Sequence, residues 1–425
     1  MNDEHEWMDE RENFFFNYLF QFFYDDSFSL KCVVYGCLLS VIFPYTHTSH
    51  LVCRNFFLLL LFTETDVFLI LKKIYMNKLL NFDDAVQYHY NQFPPKSLNY
   101  TLLMPSLLTA TDALARYDQM LKNMHNSEIL LAPLRNQEAV ISSRMEGTIS
   151  TMDEIMQYEA DFGEGNDSTE VRSDIVETVL YQRALKNAQG AIEDGYLFNK
   201  FLLKTMHQQL LSYGRGANKS PGTFKHEQNY LADKGKKSIL FIPISPEKLE
   251  EGLDRLFDYI NGDSTPILAK TAVSHLEFEA LHPFQDGNGR IGRMLITLML
   301  WQAKAISAPH FYISGYFEEH KERYTELMRQ VSQTGDWNEW CQFFFEAIYW
   351  QAVHNLEIAQ SIHALYEEMK FIFTQTLSSK HSLAVLDFVF TYPVFRNSRL
   401  SELANIPPAT ANRFTKALLE KGILT

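Results

Sequence analysis

One twelve-residue run constrains this chain more than any other feature: His282-Pro-Phe-Gln-Asp-Gly-Asn-Gly-Arg-Ile-Gly-Arg293, set between two apolar helical stretches. Gly287 and Gly289 permit positive φ angles, which turn successive N–H groups inward as an anion nest. A helix is expected to begin near Arg290, bringing its positive dipole end to the same place. Arg290 and Arg293 lie three apart on it, hence on one face. Two guanidinium groups beside a nest form a site for a polyphosphate. Asp286 adds a hard oxygen ligand suited to Mg²⁺ on those phosphates. His282, at the end of the preceding helix, is placed to take a proton from an incoming hydroxyl. Phe284 is expected to anchor the turn in the core. A cradle, a metal ligand, paired cations and a base together describe phosphoryl-type transfer. The form is not a P-loop: no GxxxxGK(S/T) run occurs, and no lysine follows the glycines.

The rest of the chain can support such a site. With 425 residues, 46% hydrophobic and 21% charged, it has material for a large core and two or three domains. A formal net charge of −14 argues against a generic nucleic-acid coat protein, though it leaves room for one small basic module. Cys32, Cys37, Cys53 and Cys341 have the spacing of neither a zinc site nor a disulfide framework. That usage suits a reducing, cytoplasmic compartment.

Residues 1–75 read differently from the rest of the chain. They hold Phe14-Phe15-Phe16, Phe22-Phe23 and apolar runs at 32–45 and 56–61, with no defensible period and no secretory signal. Neither run reaches the roughly 20 residues of a membrane span. Met76 opens a more ordinary sequence, so this stretch is expected to be an atypical leader, translated upstream sequence. The alternative is a membrane-associating leader centred on 30–74.

From residue 76 to about 375 the chain reads as mainly helical. Ala110–Met124 carries Leu114, Tyr117, Leu121 and Met124 at helical spacing, and Ser127–Ser143 continues in the same style. A loop is expected at Asp161–Thr169, then helices at Ser173–Glu193 and Asn199–Leu211. Glycines 214, 216, 222 and 235 break the pattern. Ser238–Pro243 reads as a strand, pairing with Gln228-Asn229-Tyr230-Leu231 as a hairpin across Asp233-Lys-Gly-Lys. Helices resume at Pro246–Asn261, Pro266–Leu281 and Ile291–Lys304. At 381–425, His381–Tyr392, Arg399–Ala404 and Pro408–Gly422 have helix–turn–helix spacing, with Arg413, Lys416 and Lys421 on the last helix. The chain stops where a winged helix would begin its wing. A packing or dimerisation module without DNA is the competing expectation.

The run 282–293 matches, at every defined position, the signature HPFx(D/E)GNGRxxR, and on it the chain resembles the Fic family. The resemblance extends over roughly residues 90–425 and implies a helical region with the inhibitory motif at 76–160, a catalytic core at 161–375 and a truncated winged-helix-like module at 381–425. Most Fic proteins use Mg-ATP to place AMP on a Ser, Thr or Tyr hydroxyl of a target protein. The resemblance makes His282 the general base and Asp286 the Mg²⁺ ligand. Gly287, Asn288 and Gly289 would hold the α-phosphate, Arg290 and Arg293 the outer phosphates, and Gly292 counts with this cradle. Ser142-Ser-Arg-Met-Glu146-Gly147 resembles the family's inhibitory pattern (S/T)xxxE(G/N), in which the glutamate pairs with the second motif arginine, here Arg293. In some members the same glutamate positions water for removing AMP. The hairpin resembles the flap that docks a target segment as an added strand, here Gln228, Asn229, Tyr230 and Leu231. Gly222-Thr-Phe-Lys225 resembles the lead-in to that flap, where the family often has arginine at the Lys225 position. Gly315-Tyr316 and Arg323-Tyr324 resemble the region closing over adenine, and Asp336-Trp337 through Trp340 the helix after it. Self-modification, a homodimer and DNA binding by the C-terminal module stay open, as do two rival functions: a different phosphate-containing group transferred by the same fold, or a nucleotide-sensing DNA-binding regulator.

Overall fold

In a computed structural model, the apolar stretches that flank the signature run form a buried helical pair. The structure describes residues 81–425, apart from 124–127, 163–171, 234, 236 and 237; the atypical leader at 1–75 and most of the loop expected at 161–169 lie outside them. Helix α7 (Ile267–Leu281) is buried on nearly every face, and α8 (Asn288–Gln302) likewise. A helix buried all round belongs at the centre of a larger body, and α1, α2, α4, α5, α6 and α11, whose ranges follow, pack against this pair.

Before it come β1 (Val86–Gln87), α1 (Tyr100–Lys122), α2 (Glu128–Met145), α3 (Met152–Phe162), α4 (Ser173–Glu193), α5 (Lys200–Leu210), β2 (Leu231–Ala232), β3 (Ile239–Ile242) and α6 (Pro246–Gly262). After it come α9 (Ser314–Glu319), α10 (Lys321–Thr334), α11 (Asn338–Leu377), α12 (Ser382–Thr391), α13 (Asn397–Leu403) and α14 (Pro408–Glu420). The fold is mainly helical, as the sequence leads one to expect. Helix α1 starts ten residues earlier than the expected Ala110: Asn99 caps it through its side-chain oxygen, and Leu103 and Leu107 extend the buried stripe of Ala110, Leu114, Tyr117 and Leu121. This stripe lies along α11. Trp340 on α11 is fully buried, and its Nε1 donates to the Ala272 carbonyl of α7 at 2.8 Å.

The expected hairpin is a sheet of three strands instead of two. β2 and β3 pair antiparallel, with Leu231 opposite Phe241, and β1 adds to the far edge of β3 in parallel, with Val86 opposite Phe241. The order β1-β3-β2 leaves the outer edge of β2 without a strand partner among the described residues. A two-residue strand carries no period, so β1 gives no signal in the sequence.

The C-terminal helices share a second core. Val385, Leu386, Phe388, Leu400, Ile406, Ala411, Phe414 and Leu418 pack with Tyr366, Phe373 and Leu377 of α11. Arg413, Lys416 and Lys421 lie on α14 and at its end, and all three are exposed. At α13, Arg396 and Arg399 reach α3: Arg396 Nη2 bonds Asp161 Oδ1 at 2.7 Å, and Arg399 donates to the Glu159 carbonyl. Among the described residues no helix is long and apolar enough to cross a membrane.

Candidate active site

The loop between α7 and α8 begins with an uncommon backbone. His282 closes α7 at φ 44°, a left-handed conformation that a non-glycine residue adopts only where its surroundings enforce it. Its Nδ1 faces the Glu279 carbonyl at 3.3 Å. A carbonyl only accepts, so Nδ1 carries the proton and Nε2 is left with its lone pair. Burial, with the Lys225 ammonium nearby, pulls the His282 imidazole down to about 4. It is therefore neutral across the physiological range and competent as a proton acceptor.

The loop is pinned from several sides. Asn288 donates from Nδ2 to the Phe284 carbonyl and accepts the Phe284 N–H at Oδ1, both at 2.9 Å. The resemblance assigns Asn288 to phosphate; here its side chain is committed to closing the loop, which leaves its backbone N–H for an anion. Phe284 is fully buried and lies flat on His207, ring centroids 3.6 Å apart. His207 receives the Gly222 N–H on Nδ1 at 2.8 Å, so its Nε2 carries the proton and donates to the Asp286 carbonyl at 3.0 Å. No local pattern in the sequence marks His207: it sits on α5, far from the run it braces. We expect Phe284→Ala to lower the unfolding free energy by about 3–5 kcal/mol, read by chemical denaturation; a loss under about 1 kcal/mol would show that the loop is not anchored this way.

Two of the glycines differ from expectation. Gly287 has φ 78° and caps α8, as the nest requires. Gly289 is helical, in the first turn of α8. Its lack of a side chain serves proximity: a Cβ there would lie 2.2 Å from Glu146 Oε1 and 2.9 Å from Arg293 Nη1. Gly292, counted with the cradle, packs against α7, where a Cβ would meet Glu279 Oε1 at 2.3 Å.

Both arginines are buried, 2% exposed each. Arg290 has Nε and Nη1 without hydrogen-bond partners, and its Nη2 lies 3.7 Å from Asp286 Oδ1. A buried guanidinium with idle donors is a place for an anion. Arg293 is the opposite case. Its Nε donates to Ser142 Oγ, and its Nη2 to the Ser142 carbonyl and to Glu146 Oε1, each at 2.8 Å. Burial works against the ionised Glu146 carboxyl, but Arg293, with help from Arg290 and Lys321, holds it below the ordinary carboxylate range. Gly147, just past the end of α2, has φ 90°, a backbone that favours glycine. The end of α2 is fastened further by the bidentate Arg144–Glu318 pair, by Lys321 Nζ on the Met145 carbonyl at 2.7 Å and by Arg215 Nη1 on the Gly147 carbonyl at 3.2 Å.

The remaining candidates scatter. Tyr324 is in the core, its hydroxyl 2.8 Å from His275 Nε2, so the structure does not bring it to an open surface for adenine. Tyr316 is half-buried, stacked on His320 at 4.0 Å. In the flap, Tyr230 is exposed and meets Phe82 edge-on at 5.4 Å, while Gln228 bonds the Pro243 carbonyl at 3.0 Å. Asn229 points inward instead, donating to the carbonyls of His282 and Phe284 at 3.0 Å each.

Burial holds His207 down at about 4 and His275 at about 3, below the ordinary histidine value near 6.5. The unfolded chain binds these protons more readily, so the stability they confer is full above about pH 6.5 and is lost as pH falls toward 4. The urea midpoint is expected to drop between about pH 7 and pH 5; a flat midpoint would mean that these rings are not buried in the neutral form.

Comparison with known proteins agrees with this geometry. Residues 104–190 match the model described as Fic/DOC family N-terminal, and residues 197–300 the Fic/DOC family model itself. Among curated proteins, the chain is 39% identical over 67 residues to protein adenylyltransferase fic-1 of Caenorhabditis elegans, 15% of this chain and 13% of that one. It is 29% identical over 101 residues to protein adenylyltransferase Fic of Nematostella vectensis, 23% of this chain and 22% of that one. These matches span less than a quarter of either relative's length. Among solved structures, a Fic family protein from Desulfovibrio desulfuricans shares the fold, with a TM-score of 0.51 and 16% identity over 77% of this chain and 91% of that one.

Proposed function

For a chain that belongs to the Fic/DOC family through its 104–190 and 197–300 regions, we propose transfer of AMP from ATP to a Ser, Thr or Tyr hydroxyl of a target protein. The observation that carries this reading is His282. Its Nδ1 is spent on the Glu279 carbonyl, its Nε2 keeps a lone pair, and it stands beside a glycine-capped helix start with the idle donors of Arg290. The acceptor hydroxyl oxygen attacks the α-phosphorus of ATP while His282 Nε2 takes its proton. The bond from that phosphorus to the bridging oxygen breaks, and pyrophosphate leaves with the electron pair. The first-turn N–H groups of α8 and Arg290 hold the phosphate oxygens where negative charge builds.

Asp286 fits the Mg²⁺ role. Its Oδ1 is steadied by the Gly287 N–H at 2.6 Å and its side chain is 37% exposed, so the carboxylate stays open to water and phosphate. Mg²⁺ typically takes one or two carboxylates, waters and phosphates, and among the described residues no cluster of three or more acidic, His or Cys ligands forms a cage. Bound there, it would neutralise phosphate charge.

At rest the site is restrained. Glu146 lies over the first turn of α8, where a phosphate would sit, and it occupies Arg293. The test is intact-mass analysis of the full chain and candidate proteins after incubation with Mg-ATP, wild type beside Glu146→Gly. Gain of one AMP per modified hydroxyl, chiefly with the variant, is the expected result; no AMP on any protein with folded Glu146→Gly would defeat the reading. The rival regulator reading rests on Arg413, Lys416 and Lys421 at the surface of α14. Salt-sensitive, sequence-specific DNA binding that survives His282→Ala would favour it.

A further inference from the structure

The loop that carries His282 is held from outside itself, by the segment that leads into the flap. Four consecutive carbonyls, those of Leu281, His282, Pro283 and Phe284, all receive donors from two residues of that segment. Lys225 Nζ donates to the Leu281 carbonyl at 3.0 Å, and the Lys225 backbone N–H to that of Pro283 at 2.8 Å. Asn229 Nδ2 donates to the carbonyls of His282 and Phe284 at 3.0 Å each. Lys225 Nζ also donates to Asn229 Oδ1 at 2.8 Å, which orients the amide so that its NH₂ faces the loop.

This arrangement is costly to build. Lys225 is 3% exposed, and both acceptors of its ammonium are neutral oxygens. Burial alone draws it down to about 7. An ammonium kept in such a place needs a reason beyond packing, since an apolar chain of that length would be easier to bury. The reason lies in the backbone it meets. His282 sits at φ 44°, and an unfavourable conformation persists only where several bonds over-determine it. The same segment runs on from Asn229 through Tyr230 to β2, whose outer edge has no strand partner among the described residues.

We propose that Lys225 and Asn229 are positioning residues that lock the His282 loop and register it against β2, so that a target strand laid along β2 is aligned directly with the base. This rests on reading His282 as the base and deepens it. Neither residue touches the reacting atoms. Their effect is on where the imidazole points, and a displacement of about 1 Å at such a group is worth on the order of 100-fold in rate.

The test uses the full chain in the Glu146→Gly background, with Lys225→Met and Lys225→Arg. Lys225→Met is expected to lower kcat about 100-fold while affinity for Mg-ATP, measured directly with a fluorescent analogue, stays the same. Lys225→Arg, which keeps a charged donor, is expected to recover most of the rate. Hydrogen exchange of the amides at 282–288 should quicken in Lys225→Met while α7 and α8 keep their protection. Should Lys225→Met not fold, Asn229→Ala carries the same test, because it removes two of the loop's bonds and leaves the lysine. Unchanged kcat, or a rate loss matched by an equal loss of nucleotide binding, overturns the proposal. If Glu146→Gly transfers no AMP at all, the reaction reading fails separately, and the exchange rates at 282–288 still decide whether the lock exists.

Discussion

Replacing Glu146 with glycine is expected to raise AMP incorporation on the order of 100-fold, as two steps of physical reasoning require. Its carboxylate accepts from Arg293 Nη2 at 2.8 Å and overlies Gly289 in the first turn of α8. A charge-assisted hydrogen bond of this kind is worth about 1.5–3 kcal/mol, and each 1.36 kcal/mol is about tenfold. Repulsion between the carboxylate and a phosphate adds to the barrier. The variant does not strand Arg293, because Ser142 still receives its Nε and Nη2. The end of α2 also keeps Gly147 and the Arg144–Glu318 pair. The measurement is the initial rate of labelled AMP transfer with both proteins confirmed as folded. Equal rates would make Glu146 a structural cap and nothing more.

In that released background, His282→Ala is expected to reduce transfer by about 10²–10⁴-fold, the usual worth of a positioned general base. The loop should survive the change, since Asn229 and Lys225 bond its backbone carbonyls and not the ring. The pH profile gives a second reading. With the imidazole at about 4, the neutral base is present above that value and is lost only as pH falls through it. Rate should therefore be level from about pH 8 down to about 5 as far as this group is concerned. A limb centred near the ordinary value of about 6.5 would mean the ring is solvated in the working enzyme.

Much of this site is legible in the sequence because it is local. His282, Asp286, Gly287, Arg290 and Arg293 lie in one run, and their spacing alone brings the histidine, the helix cap and the two guanidinium groups to one loop. Glu146 is legible only through a resemblance, since a glutamate–glycine pair carries no chemistry of its own; the structure brings it to Arg293 across 147 positions. What the spacing misreads is Gly289, where the cause is a neighbour from beyond the loop, not a turn. His207 escapes for the same reason, acting on the loop through space from an ordinary helix, and Lys225 is marked only by the resemblance of its segment, which does not display the loop carbonyls it bonds. The resemblance puts Asn229 on the target-facing flap, but two backbone carbonyls of the His282 loop and the Lys225 ammonium draw its side chain inward, and no sequence pattern displays them. Strand β1, at two residues, is too short for periodicity to announce it.

Helix α11 links two hydrophobic cores without a break. Its first turns, with Trp340, Phe344 and Ile348, belong to the core built round α7 and α8, and its last, with Phe373 and Leu377, to the C-terminal one. Its 40 residues of α-helix span about 60 Å. The C-terminal helices are thus mounted on a strut and not hung from a tether. The salt bridge from Arg396 to Asp161 ties those helices down a second time, to the helix that comes next after Glu146. A torque applied at α14 has no slack linker in which to dissipate.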